Sequence, residues 1–209
     1  NARQYRVNVA RFTYPLAMSG QGVMVGMPVD IGPGALFYRK DLLDKAGVSE
    51  ADLTKSWESY IESGKKLKAA TGAWLLASAV DIKDIYIRSD LKDGEGIYFD
   101  KSGKATIANA RFQKAFELAK AAREDGIDGK IGAWSNEWSE GFKRDKIASQ
   151  MMGAWLAGHL NNWLAPESKG KGRSAQLPGG AFGSWGGSFY GVPKKAQNKA
   201  AAWDFIKFL

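Results

Sequence analysis

Residues 25–47 read VGMPVDIGPGALFYRKDLLDKAG. The apolar residues of 23–29 predict a short buried strand that ends at Pro28, and residues 35–38 predict a second strand. The Gly and Pro residues of segment 30–34 mark a turn between the two strands. A short helix is predicted over residues 41–46, with Gly47 as its stop signal. This order of strand, turn, strand and helix indicates a mixed α/β chain.

The rest of the chain continues the same alternation. Ser56 is a candidate N-cap for a helix that Gly72 ends, and Asn109 is a candidate N-cap for the most clearly amphipathic helix. Further helices are predicted over residues 136–143, 154–164 and 200–209, and Asn198 is the expected cap of the last one. Strands are predicted over residues 74–80, 147–152 and 188–192, with a hairpin over 97–107. Helices alternating with short buried strands predict the α/β class.

The composition is that of a folded protein, with 44% hydrophobic and 25% charged residues among 209. The net charge of +8 is spread along the chain, and only residues 169–173 form a local basic cluster. A nucleic-acid-binding stripe of Lys and Arg with exposed aromatics is therefore not indicated. The chain has no cysteine, so disulfides and thiolate metal sites are excluded. Its eight tryptophans are a large number of a scarce residue, favoured where a flat apolar face meets a ligand or fills a core.

Motifs for catalysis, metals and nucleotide cofactors are absent. The single histidine, His159, excludes two-histidine zinc motifs and argues against a Ser-His-Asp triad. No phosphate-binding glycine motif is found, so we expect neither a cofactor nor a metal. Asp81 and Asp84 are a carboxylate pair of the kind a glycosidase uses, but such pairs are common in any sequence.

Three segments together resemble the family-1 extracellular solute-binding proteins, the sugar receptors of ABC importers. The first is 25–47, similar to a G-x-P … YY-N-K-D-L-F-x-K-A-G pattern, with Arg39 where many members have Asn. The second is 142–155, FKRDKIASQMMGAW, similar to F-x-x-G-K-x-A-M-x-x-x-G-x-W, with Asp145 in place of the usual Gly. The third joins Gly186-Gly187-Ser188 to NKAAAWDFIKFL at 198–209. We expect the two departures to lie in turns or at the surface.

The resemblance implies the fold of the family, which is a periplasmic-binding-protein-like fold of type II. Its two lobes close on a ligand. Residues 32–187 would form the second lobe, and residues 1–31 and 188–209 would be crossing strands and pieces of the first. The remaining first-lobe segments would then be partners outside this sequence. The implied location is extracytoplasmic, in the periplasm or at the cell surface as a lipoprotein. The implied partners are a small carbohydrate and a membrane permease.

The resemblance also suggests where a sugar would bind. It places Trp155 at the sugar-stacking position of the family, although core packing at a strand–helix junction is the alternative. Trp185, Gly186 and Gly187 lie in a glycine-rich segment whose backbone must approach either ligand or another strand closely.

Two carboxylates complete the candidate site. Asp30 can accept sugar hydroxyl hydrogen bonds, or it can simply form the turn that precedes Pro33. Asp81 matches by position a family loop that supplies a polar ligand contact. By contrast, Trp57, Trp163 and Trp203 fall on apolar helix faces and are expected in the core.

The sequence therefore predicts a binding protein, not an enzyme, that takes up a mono- or oligosaccharide outside the cytoplasm and delivers it to an ABC permease. The alternative is a carbohydrate-active enzyme or its carbohydrate-binding module, which needs a protonated carboxylic acid opposite a second carboxylate.

Overall fold

The computed structural model describes residues 2–92 and 95–209, apart from the side chains of Ala2, Arg3 and Arg6. The chain divides into two compact units. The first unit comprises Asn1–Gly32 and Ser184–Leu209, and the second comprises Pro33–Gly183.

Helices and short strands alternate along both units. The strands are β1 (Met27–Pro28), β2 (Gly34–Arg39), β3 (Ser149–Gly153), β4 (Gly172–Ala175) and β5 (Phe189–Tyr190). The helices are α1 (Thr13–Leu16), α2 (Lys40–Lys45), α3 (Glu50–Thr54), α4 (Trp57–Thr71), α5 (Ala79–Arg88), α6 (Ala110–Glu124), α7 (Asn136–Lys143), α8 (Leu156–His159) and α9 (Lys199–Phe208). Short 3₁₀ segments cover Ala2–Asn8, Pro166–Ser168 and Pro178–Gly180, and a π-helical turn covers Leu160–Leu164. The predicted α/β class is confirmed, and none of the described helices is long and apolar enough to cross a membrane.

The second unit is built on an antiparallel sheet in which β2 lies between β3 and β4. Gly34 pairs with Gly153 at one end of the β2–β3 ladder, and Tyr38 pairs with Ser149 at the other. Every residue of β3 is buried, as expected for a strand that is covered on both faces. The sheet thereby fixes the position at which the chain leaves β3 and enters α8.

Helix termini in the second unit follow the predicted caps. The side chain of Ser56 accepts a hydrogen bond from Ser59 N at the start of α4, and Gly72 ends the helix with a φ of 73°. The side chain of Asn109 caps α6 in the same way by accepting from Phe112 N. Only glycine adopts such a positive φ without steric cost, so the two residue types at these ends define the helix length.

The predicted strand at residues 74–80 is wrong. Trp74 and Leu76 make only isolated parallel bridges, to Ile147 and Asp128, and helix α5 begins at Ala79. Two side chains satisfy the free N–H groups at this helix start: Ser78 Oγ accepts from Val80 N at 3.3 Å, and Asp128 Oδ2 accepts from Ala79 N at 3.0 Å. Asp128 is distant in sequence, so a local pattern could not reveal its role.

The two departures from the family pattern do not both lie at the surface, contrary to our expectation. The Arg39 side chain is 6% exposed and forms ion pairs with Asp41 at 2.7 Å and with Asp145 at 2.5 Å. Asp145 is half exposed and has a φ of 58°. The two residues that depart from the family pattern are therefore partners in one ion-pair network.

In the first unit, β1 and β5 form a short antiparallel ladder in which Met27 pairs with Tyr190. The pairing continues beyond the strands, since Val29 N donates to Ser188 O at 2.9 Å and Trp185 N donates to Gly32 O at 2.6 Å. Segments 29–32 and 185–188 thus lie side by side. The predicted strand 23–29 is shorter than expected, and Asn198 precedes α9 without a side-chain cap hydrogen bond.

Candidate functional site

Trp155 lies at the junction where the chain leaves β3 and begins α8. Its indole ring folds back over Gly153, so a Cβ added at Gly153 would approach Trp155 Cδ1 and Cε2 to 2.8 Å. Real Cβ atoms do not approach other heavy atoms so closely. The glycine therefore allows the ring to take this orientation.

Trp155 belongs to a group of rings that we call the tryptophan cluster: Trp134, Trp138, Trp155, His159 and Trp163. The rings of Trp134 and Trp155 are nearly parallel, with centroids 5.9 Å apart and an interplanar angle of 19°. His159 contacts Trp155 at 5.4 Å and Trp163 at 5.3 Å. Trp134 also contacts Trp138 at 4.9 Å. The cluster is continuous and combines the loop before α7, helix α7 and helix α8 with its π turn.

The cluster is buried at one end and open at the other. Trp138 is 1% exposed, whereas Trp134 is 50% and Trp163 57% exposed. The expectation that Trp163 is a core residue is wrong, because its side chain is exposed where the helix passes into the π-helical turn. By contrast, Trp57 is buried as predicted, and Trp203 is part-buried against Tyr5. An open set of aromatic faces remains on the surface of the second unit.

A chain of hydrogen bonds supports the buried end of the cluster. Trp138 Nε1 donates to Gln150 Oε1 at 2.9 Å, and Gln150 Nε2 donates to Asp81 Oδ2 at 2.8 Å. Burial raises the pKa of Asp81, the charge of Asp84 raises it further, and the Gln150 hydrogen bond lowers it. Because Gln150 is fully buried, both ends of its amide are used and its orientation is fixed.

The other predicted site residues lie in the paired segments of the first unit. The Asp30 carboxylate accepts from Ser188 N at 2.5 Å and from Ser188 Oγ at 3.3 Å. Gly186 and Gly187 have φ angles of 86° and 117°, which side-chain-bearing residues rarely adopt. Trp185 is part-buried, and its backbone N–H pairs with Gly32. These four residues are thus brought together by the antiparallel pairing.

The predicted site residues fall into two groups. In the second unit, Trp155 and Asp81 are connected through the tryptophan cluster and Gln150. In the first unit, Asp30, Trp185, Gly186 and Gly187 lie on the same pair of segments. Among the described residues, no group of three or more His, Cys, Asp or Glu side chains is placed to hold a metal ion.

A family model described as bacterial extracellular solute-binding protein matches residues 5–209. The chain belongs to this family. Its membership places the chain among proteins that act outside the cytoplasm. The family and the curated relatives are binding proteins.

Two curated relatives of this family member are named for sugars. A lactose-binding protein from Rhizobium radiobacter is 29% identical over 90% of the chain and 46% of its own length. An arabinooligosaccharide-binding protein from Bacillus subtilis (strain 168) is 28% identical over 91% of the chain and 45% of its own length. The chain therefore spans about half the length of the curated relatives it matches.

Solved structures agree with the fold of this family member. A crystal structure of an extracellular solute-binding protein of family 1 matches all of the chain and 54% of the solved chain, with a TM-score of 0.79 and 29% identity. The ABC-transporter-associated binding protein of B. animalis subsp. lactis Bl-04, solved with β-1,6-galactobiose, matches 95% of the chain and 50% of its own, with a TM-score of 0.77 and 26% identity. The predicted periplasmic-binding-protein-like architecture is confirmed.

Sequence reasoning did not select Trp134, Trp138 or His159, and it assigned Trp163 to the core. One signal was available, because Trp155, His159 and Trp163 follow each other at intervals of four residues. Such a spacing places side chains on one face of a helix. Trp134 gave no comparable signal, since it is a loop residue with a φ of 68° and reaches Trp155 only through the fold.

Proposed function

We propose that this chain is one large piece of a sugar-binding protein that delivers its ligand to an ABC transporter permease. The observation that carries the proposal is the near-parallel, partly exposed pair Trp134 and Trp155, which the fold positions through Gly153. Sugar rings present flat C–H faces that pack on indole faces, and an open indole pair offers this surface. The sugars named for the curated relatives support the same ligand class.

A sugar also presents hydroxyl groups that need polar partners. In the proposal, Asp30 accepts hydroxyl hydrogen bonds, and Trp185, Gly186 and Gly187 supply a ring and an approachable backbone on the same segments. The contact between Asp81 and Gln150 favours a supporting role for Asp81 behind Trp138, with Trp155 as the direct contact.

For the whole protein we propose two lobes that close on the ligand. Residues 32–187 would form the second lobe, and residues 1–31 and 188–209 would belong to crossing strands and the first lobe. The first-lobe segments found in the longer relatives would complete the clamp, since the chain spans about half of each relative. Closure on the ligand would be the signal to the permease. The protein would act without catalysis, in the periplasm or as a surface lipoprotein, the form named for a maltooligosaccharide-binding relative of Streptococcus pneumoniae.

Calorimetric titration of the full-length protein with lactose, arabinotriose and maltotriose tests the proposal. We expect at least one of these sugars to bind, and chromatography after prolonged incubation to recover it uncleaved. Cleavage would instead support the carbohydrate-active enzyme. A folded protein that binds none of these sugars would overturn the proposed function.

A further inference from the structure

The tryptophan cluster extends beyond the proposed sugar-stacking residue. Trp155, His159 and Trp163 follow one another along α8 and its π turn, and each ring contacts the next at 5.4 or 5.3 Å. Trp134 closes the inner end by contacting both Trp155 and His159. Trp163 therefore forms the outer end of a row that begins at the Trp134–Trp155 pair.

The π-helical turn explains why the row continues in one direction. In an α-helix, four residues rotate by about 40° more than one full turn, so side chains at intervals of four gradually leave a common face. The turn at Leu160–Leu164 is closed by a hydrogen bond from Ala165 N to Leu160 O at 3.1 Å, which spans five residues. A wider turn rotates less per residue and offsets this drift. The π turn thus keeps Trp163 beside His159.

The exposed fractions show that the outer end is open to a ligand. Trp163 is 57% exposed, although a large aromatic side chain normally gains free energy from burial. His159 is part-buried between Trp155 and Trp163, and its ring N–H can donate a hydrogen bond to a hydroxyl group. The outer end therefore combines an aromatic face with a polar donor.

The length of the row exceeds what one sugar can cover. The ring centroids of Trp155 and His159 are 5.4 Å apart and those of His159 and Trp163 are 5.3 Å apart, so the row consists of two consecutive ring-to-ring steps. A six-membered sugar ring is comparable in width to one of the six-membered rings of these side chains. A single sugar on Trp155 would leave Trp163 in water, whereas a chain of linked sugars would cover both.

We propose that His159 and Trp163 are ligand-contacting residues that make the site select oligosaccharides over single sugars. This inference rests on the proposed function and specifies its ligand class. In the bound state, the first sugar unit packs on Trp155, and a later unit packs on Trp163. Hydroxyl groups between them accept a hydrogen bond from His159.

Titrations of the full-length protein with two sugar series test the inference: arabinose to arabinotetraose, and glucose to maltotetraose. For the series that binds, we expect affinity to rise with each unit up to the trisaccharide. Trp163→Ala is expected to weaken tri- and tetrasaccharide binding about tenfold and to leave single sugars within twofold. Trp155→Ala is expected to weaken every member, and His159→Phe should lose the hydrogen bond while retaining a ring.

Trp74→Ala is the matched control, because Trp74 is a part-buried tryptophan of the same unit that lies outside the tryptophan cluster. It should leave the dependence on sugar length unchanged. Equal affinity for single sugars and trisaccharides would overturn the inference while preserving the proposed function, as would a Trp163→Ala variant with wild-type affinity for every member. A protein that binds neither series would overturn both.

Discussion

The indole ring of Trp155 occupies the space that a Cβ at Gly153 would need. Gly153 is also the last residue of β3, where it pairs with Gly34. The sheet thus determines the position of the glycine, and the glycine determines the orientation of the ring. A residue without a side chain sets the geometry of the proposed sugar-stacking surface.

Gly153→Ala should displace the Trp155 ring and lower sugar affinity of the full-length protein by about tenfold or more, because the aromatic contact is lost. Gly158→Ala is the matched control in α8, since a Cβ there meets no atom within 4 Å. Calorimetric titration of both variants compares them. Equal affinities would show that the ring tolerates a methyl group at Gly153.

Trp155→Ala should lower sugar affinity by about 2 kcal/mol, roughly thirtyfold, and leave the fold intact. Trp138→Ala should show the opposite pattern, because Trp138 is fully buried and its removal leaves a cavity that costs about 3–5 kcal/mol of stability. Titration reports affinity and chemical denaturation reports stability. A Trp155→Ala protein that unfolds at a lower denaturant concentration but binds sugar with wild-type affinity would refute the stacking role.

Asp145→Ala should destabilise the protein by about 1–2 kcal/mol, because alanine at the φ of 58° is strained and the ion pair with Arg39 is lost. Asp145→Gly loses the same ion pair but adopts this φ freely, so it should be about 1 kcal/mol more stable than Asp145→Ala. Urea denaturation measures the difference. Identical stabilities of Asp145→Ala and Asp145→Gly would mean that this positive φ has no free-energy cost for alanine.

Asp81→Asn should be at least as stable as the wild type at pH 7. Burial raises the pKa of Asp81 in the folded state above its ordinary value of 3.8, so ionisation penalises the folded state more than the unfolded one. The penalty is absent below pH 3.8, develops as the pH rises through the folded pKa, and then stays constant. Between pH 3 and pH 7, the denaturation midpoint of Asp81→Asn should therefore rise relative to that of the wild type as the pH increases. Asp84→Asn, which loses an ion pair with Lys83, should show no such gain.

Asp30→Asn should lower sugar affinity about tenfold with little change in stability. The substitution retains an oxygen that can accept from Ser188 N but removes the charge that strengthens hydrogen bonds to hydroxyl groups. Ser188 uses only part of the acceptor capacity of the carboxylate. Titration and denaturation separate the two effects. A loss of stability with unchanged affinity would assign Asp30 to strand pairing alone.

The sequence could predict those elements whose signals are local. The caps at Ser56 and Asn109 and the glycine at residue 72 act within one helical turn, and each defines a helix end as expected. The start of α5 was missed because its second capping group, Asp128, comes from 49 residues further along the chain. Apolar periodicity also could not distinguish a buried strand from the start of a buried helix.

The candidate site was predictable in part for the same reason. Trp155 follows β3 directly and could be found from its local motif. Trp134 reaches the site from a loop, and Trp163 lies in a π-helical turn, where the regular helical period on which its assignment to the core depended does not hold. A periodic sequence pattern contains no information on contacts between distant segments. It also does not reveal where a helix departs from regular geometry.

The network of Arg39, Asp41 and Asp145 constrains the order in which its members can arise by mutation. Arg39 introduced alone would still be neutralised by the neighbouring Asp41, through two hydrogen bonds of 2.8 and 2.7 Å. Asp145 introduced alone would place a side chain on a backbone that favours glycine, without the guanidinium to compensate. A lineage that starts from Asn and Gly at these positions would therefore gain the arginine first. Once both are present, reversal of Arg39 alone would leave two adjacent carboxylates without their cation.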